Sequence, residues 1–216
     1  MAPEGKPVIF AAAGFAVLSI ILAVVVGGAA ASWIGWAGLI PFGLTLVFFR
    51  DPPRMPPDRR GIVVSPADGK IIEIIDLHER GQGDREGKKV SIFMSVVNVH
   101  VNRIPVGGVI ETLRYNRGKF LTAFHPEASL ENERQFIAIK SPFGTVGCVQ
   151  VAGWLARRIV CHLREGQQVQ TGERFGVIRF GSRVDLYLPS NCELCAVRGQ
   201  KVRAGETILG VFHEKK

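Results

Sequence analysis

The chain has 216 residues, enough for one ordinary domain plus an appendage but not for two full domains. Its formal charge of +8 implies an anionic partner, either nucleic acid or an acidic membrane surface. Nucleic acid is disfavoured, because no zinc-finger spacing, helix-turn-helix pattern or RNA-recognition signature is present and the basic residues are scattered rather than massed.

Residues 8–49 differ from the rest in composition. Val8 to Val26 and Trp33 to Phe49 are uncharged apolar runs of 19 and 17 residues, joined by an uncharged Gly/Ala/Ser connector. That is the lower limit for crossing a hydrocarbon core ~30 Å thick. Trp33 and Trp36 suit an interfacial position. Lys6 precedes the first run, and Arg50, Arg54, Arg59 and Arg60 follow the second. A helical membrane hairpin over residues 1–50 with both ends cytoplasmic satisfies the positive-inside bias. It either spans the bilayer or lies in it as a monotopic element. A cleaved signal peptide with a site at Ala29–Ala31 competes with this reading, but its apolar region would be too long and a second run follows at once.

Residues 51–60, DPPRMPPDRR, read as a linker: four prolines in ten residues forbid a continuous helix. Its arginines suit anionic headgroups. From residue 61 to 216 the texture is β. GIVVSPADGKIIEIID gives two strands about a Pro-Ala-Asp-Gly turn, and GKKVSIFMSVVNVHVNRIP reads as one long strand ending at Pro105. ERQFIAIKSPFGTVGCVQVAG reads as a hairpin turning at Ser-Pro-Phe-Gly. Only 155–163, LARRIVCHL, has a helix-compatible pattern, and it reads as a strand as well. Two segments, 165–178 and 198–211, share a G-x-x-V-x-x-G-E pattern with glycines at turn positions. The expected fold is mainly β, an antiparallel sandwich or barrel-like domain led by the hairpin.

Of the four cysteines, only Cys192 and Cys195 form a CxxC, half of what a structural zinc site needs. They read as ordinary thiols in a reducing compartment, and no histidine or carboxylate grouping has metal-ligand spacing.

A period-two strand pattern over 176–189 is interrupted by Gly181–Ser182. Together with PADG at 66–69, NVHVNRIP at 98–105 and FHPEASLENER at 124–134, this stretch resembles the short bacterial type of phosphatidylserine decarboxylase proenzyme, from about Arg50 to the C-terminus. The resemblance implies a carboxy-lyase that converts phosphatidylserine to phosphatidylethanolamine and CO2. It implies a zymogen that cleaves itself between Gly181 and Ser182: Ser182 Oγ attacks the Gly181 carbonyl, the ester is eliminated, and a covalent pyruvoyl group remains as cofactor. The substrate amine would form a Schiff base on that group. The two cleaved chains would stay associated, and a homo-oligomer is compatible with the family.

Ser182 needs an acid/base partner. By the resemblance this is His100, with Asp68 of PADG as a triad-like orienter of the ring; His125 is the alternative to His100. Longer family members carry a second histidine where this chain has Arg103. Either His100 then serves both steps, or Arg103 holds a carboxylate or phosphate. Arg134 would bind the lipid phosphate, or pair with a neighbouring glutamate. The expected location is the cytoplasmic face of the cell membrane, with an anionic membrane and a phospholipid as partners. A non-catalytic alternative is a membrane-anchored, lipoyl- or biotinyl-like β-sandwich adaptor, suggested by the repeated units. Against a carrier, the segment between the repeats has no lysine to modify.

Overall fold

The computed structural model describes residues 1–77, 87–119, 131–153, 158–178 and 182–213. The chain divides into two compact units, Met1–Pro52 and Pro53–Lys216. The first is a helical hairpin of α1 (Lys6–Val26) and α2 (Gly28–Phe48), turning at Gly27 and Gly28, whose φ values of +62° and +67° suit glycine. Each helix has 21 residues. At ~1.5 Å per residue that is about 31 Å, long enough and apolar enough to cross a membrane. The helices meet on small residues: a Cβ on Gly38 would lie 2.9 Å from Ala16 Cα and 2.6 Å from Ser19 Cβ. Close approach on small residues is how apolar helices pack when no hydrophobic effect drives them together. Large side chains such as Leu18, Val24, Trp33 and Leu44 point outward.

The second unit is antiparallel β. Its main sheet has eight strands: β2 (Gly69–Asp76), β3 (Gly87–Met94), β5 (Gly108–Asn116), β6 (Arg134–Ser141), β7 (Gly144–Ala152), β9 (Gln168–Val169), β11 (Ser182–Pro189) and β13 (Lys201–Val202). Two three-stranded sheets accompany it. One joins β1 (Ile62–Val64), β14 (Ile208–Phe212) and β12 (Cys192–Leu194); the other joins β4 (Val101–Arg103), β10 (Arg174–Ile178) and β8 (Ile159–Cys161). Alternate residues of the main sheet, among them Ile92, Ile137, Cys148, Val184 and Leu186, form one core with Val63, Phe175, Ile178, Leu209 and Phe212 of the small sheets. This is a sandwich, as the alternation implied.

Strand order in the main sheet, β13-β2-β3-β11-β7-β6-β5-β9, reads as two equivalent halves about the β11–β7 pair. The sequence repeat is the basis of this duplication. Gly199 N–H donates to the Ile71 carbonyl at 2.8 Å, and Gly166 N–H donates to the Ile110 carbonyl at 2.8 Å. Gly205 N–H and Gly172 N–H likewise donate to Ser65 and Ile104 carbonyls, each at 2.8 Å. All four glycines have φ between +74° and +91°. Each half also has a bulge at the same place, after Ile71 in β2 and after Ile110 in β5.

One sequence reading changes, and one left open between helix and strand is decided. The stretch 87–105 is not one strand. It breaks after Met94 at a turn over Ser95–Asn98, and β3 and β4 enter different sheets. Within 155–163 the described residues form β8, because Ile159 and Val160 pair with Ile178 and Val177 of β10; residues 154–157 lie outside the described set.

The cysteines are all free thiols. Burial, and secondarily the Cys195 charge, pushes the Cys192 thiol up to about 12, and burial also raises Cys148 and Cys161. The thiolate is the reactive form, so a raised value suppresses reaction at neutral pH. At pH 8 a water-soluble disulfide reagent should label exposed Cys195 first and leave Cys148 and Cys192 untouched until denaturant is added. Equal labelling of Cys192 and Cys195 in the native protein would contradict this packing.

Candidate active site

β11 begins at Ser182, and every one of its residues faces a partner on β3, with most also facing β7. Ser182 lies opposite Met94 on one side and Ala152 on the other. Strand alternation puts Ser182 on the core face with Val184, Leu186 and Leu188, and Arg183 and Asp185 on the other face. Arg183 grips Asp185 with two bonds, Nε to Oδ1 at 2.6 Å and Nη2 to Oδ2 at 3.3 Å, and reaches Glu73 at 3.4 Å. Both charged residues are buried, and a bidentate, fully engaged pair is the form in which buried charge is tolerated. The start of β11 is thereby held on both faces.

The Ser182 hydroxyl is 0% exposed. It donates to the thioether Sδ of Met94 at 3.3 Å. Sulfur is a weak acceptor, so the oxygen lone pairs are not committed to strong donors through this contact. Met94 Sδ also receives Asn102 Nδ2 at 3.7 Å, and Asn102 Oδ1 receives Gln150 Nε2 at 2.8 Å. A fully buried amide pair thus abuts the serine through the methionine. Gly176 makes room for it, since a Cβ there would sit 3.2 Å from Gln150 Nε2.

His100, also buried, stands at the start of β4, two residues before Asn102. Its Nδ1 donates to the Asn98 carbonyl at 2.9 Å. A carbonyl only accepts, so Nδ1 carries the proton and the neutral ring keeps its lone pair on Nε2. The His100 carbonyl in turn accepts from Ile178 N–H, four residues before Ser182. The β3 end, the β4 start and the β10 end therefore bring His100, Asn102, Met94 and Ser182 to one corner of the domain. Gly181 and His125 lie outside the described residues.

Asp68 does not meet His100. Its Oδ2 accepts from Arg54 Nη2 at 2.9 Å and its Oδ1 from the Ala204 N–H at 2.7 Å. Arg54 also holds Glu206 at 2.7 Å. The ring tautomer that a triad carboxylate would fix is fixed here by a backbone carbonyl, and the PADG carboxylate instead ties the residue-54 segment to the β13–β14 turn. Arg54, read as facing headgroups, is consequently committed inside the second unit. Arg103 is buried, with Nη1 on the Gly172 carbonyl at 3.0 Å. Arg134 opens β6 opposite Val151, which faces Arg183, so alternation puts it on the face opposite Ser182.

Sequence reading passed over Met94, Asn102 and Gln150. Asn102 carries a signal, since i and i+2 share a strand face and His100 was already singled out. Gln150 is the one polar side chain in the run Val149–Ala152. The methionine gives no such signal. Among the described residues no group of three or more His, Cys, Asp or Glu is placed to hold a metal.

A cleft of about 580 Å³ lies elsewhere, over Phe136, Ala138, Gly147 and Tyr187. Burial raises the Tyr187 hydroxyl there to about 12, with Asp185 adding to the shift.

The family model for phosphatidylserine decarboxylase matches residues 42–210. A phosphatidylserine decarboxylase proenzyme from Nitrosomonas europaea is 49% identical over 184 residues, covering 83% of this chain and 85% of that protein. The chain belongs to the phosphatidylserine decarboxylase family.

Proposed function

We propose that this chain decarboxylates phosphatidylserine to phosphatidylethanolamine using a pyruvoyl group made from its own Ser182, and that it works at the cytoplasmic face of the cell membrane. The observation that carries the reading is the Ser182 hydroxyl: fully buried at a strand start, donating to a thioether, in a family whose Nitrosomonas relative is named a proenzyme. The apolar hairpin, flanked by Lys6 and Arg50, supports the location.

In self-cleavage, Ser182 Oγ bonds to the Gly181 carbonyl carbon while the carbon–nitrogen bond breaks and the Ser182 nitrogen takes the hydroxyl proton. Loss of the Ser182 α-proton then expels the Gly181 carboxylate from Cβ. Hydrolysis of the resulting enamine releases ammonia. His100 is the base for these proton transfers, because its Nε2 lone pair is fixed by the Nδ1 bond to Asn98. Gln150 and Asn102 hold Met94, and so the serine rotamer. Asp68 has a structural part, holding the residue-54 segment to the Ala204 turn. The fit of the site to a pyruvoyl group rests on the same buried corner, which keeps water from a reactive carbonyl. A pyruvoyl group held there would supply an electron sink for decarboxylation of an amine-bearing substrate, the work pyridoxal phosphate does elsewhere.

Activity on phosphatidylserine should survive exhaustive removal of pyridoxal phosphate and be lost on borohydride treatment in the presence of substrate. Dependence on added pyridoxal phosphate would reject the reading. His100→Ala should lower turnover by ~10²–10⁴-fold, with His125→Ala within a few-fold of wild type. The reverse ranking would move the base to His125.

Asn102→Leu should slow self-cleavage by about tenfold, the rate equivalent of one hydrogen bond of ~1.4 kcal/mol, with Gln150→Leu milder. Time courses of fragment appearance report this directly. Wild-type kinetics in both variants would remove the amide pair from the site.

A further inference from the structure

The turn between β3 and β4 breaks a rule of local sequence chemistry. Asn98 N–H donates to the Ser95 carbonyl at 2.9 Å, which closes a four-residue turn with Val96 and Val97 at its centre. Central turn positions favour Gly, Pro, Asn, Asp or Ser, not β-branched apolar residues. The turn is nevertheless rigidly braced: Asn98 Oδ1 accepts from Ser95 N–H at 2.9 Å and from Ser95 Oγ at 2.6 Å. The two valines are displayed, 50% and 67% exposed. Among the described residues of the second unit they are the only consecutive pair of exposed large hydrophobic side chains. Isolated exposed hydrophobics are ordinary, whereas an adjacent pair on a fixed turn has a use.

Its position suggests the use. Met94, immediately before the turn, receives the Ser182 hydroxyl, and Asn98, its last residue, holds His100 Nδ1. The chain also enters this unit at the same corner. Arg54 is bound to Asp68, which directly precedes β2, and the first paired residues of β2 run beside the end of β3 (Lys70 opposite Phe93).

We propose that the Ser95–Asn98 turn is a membrane-docking tip of the catalytic unit. Val96 and Val97 enter the boundary between headgroups and acyl chains of a phospholipid bilayer, and so set His100 and Ser182 at headgroup depth. The occupant is the bilayer rather than a protein partner, because the family substrate is a membrane lipid whose headgroup must reach a buried serine while its acyl chains stay in apolar surroundings. The inference rests on the lipid-decarboxylase reading and adds a second contact beyond the hairpin.

The test uses the full chain reconstituted in phosphatidylserine-containing vesicles. An environment-sensitive fluorophore is attached to Val97→Cys in a Cys195→Ser background, with Thr145→Cys as control. Thr145 is exposed and sits on β7 at the end far from Ala152, the residue opposite Ser182. The probe at 97 should shift to the blue and be quenched by brominated acyl chains, and the probe at 145 should do neither. Equal quenching at both positions, or none at 97, would overturn the proposal. This readout needs no turnover, so it stands apart from failure of the decarboxylase reading.

The double variant Val96→Ser, Val97→Ser gives the kinetic arm. It should self-process and turn over a dispersed short-chain phosphatidylserine as wild type does, while activity on vesicles falls by about tenfold or more. Equal loss on both substrate forms, or failure to self-process, would mark the turn as merely structural.

Discussion

The double pairing of β11 is the constraint on which the site depends. A strand held along its length by β3 on one edge and by β7 on the other needs no peptide bond at its start to stay in place. The duplication makes this plain. Ile92 faces Ile71 as Ile139 faces Ile110, so Met94 corresponds to Ser141, and Ser182, opposite Met94, corresponds to Gly144, opposite Ser141. In one half the two strands are closed by the hairpin 141–144. In the other, Ser182 begins its strand at the equivalent position, and the bond before it is the one that the proposed self-cleavage would cut. The proposed cleavage there would take away a connection that backbone pairing and core burial already make redundant.

The same pairing accounts for the polar company of Ser182. A sheet presents alternate residues to opposite faces, so Ser182 must look into the core while Arg183 and Asp185 look away from it. A hydroxyl turned into a core usually finds a carbonyl or carboxylate. Here it finds Met94 Sδ, itself braced by Asn102 and Gln150. A hydroxyl held in one rotamer by a weak acceptor gives up little on turning to attack.

Much of the fold was legible in the sequence, because the signals were local. Apolar runs flanked by positive charge gave the hairpin, and alternation gave the sandwich. The glycines of the two G-x-x-V-x-x-G-E segments gave turns that the structure shows to be equivalent. The family motifs singled out Ser182 and His100, which the structure places at one corner of the domain. What was not legible depends on distance in sequence. Nothing in PADG reveals that Arg54 and the Ala204 amide claim both oxygens of Asp68, or that a carbonyl two residues away orients His100. The break at Ser95–Asn98 was hidden for the opposite reason: its valines are strand formers, and the bend is made by Asn98, whose N–H and side chain both bond Ser95.

The central claim is that Ser182 becomes the reactive group, and the intact mass of the full-length protein under denaturing conditions tests it most directly. Two polypeptides are expected, residues 1–181 and residues 182–216. The smaller should be lighter than a serine-initiated peptide by one molecule of ammonia and should resist stepwise N-terminal degradation, since a ketone replaces its α-amino group. Ser182→Ala should give one uncut, inactive chain. A wild-type protein that remains a single 216-residue polypeptide and still decarboxylates phosphatidylserine at its full rate would contradict the account.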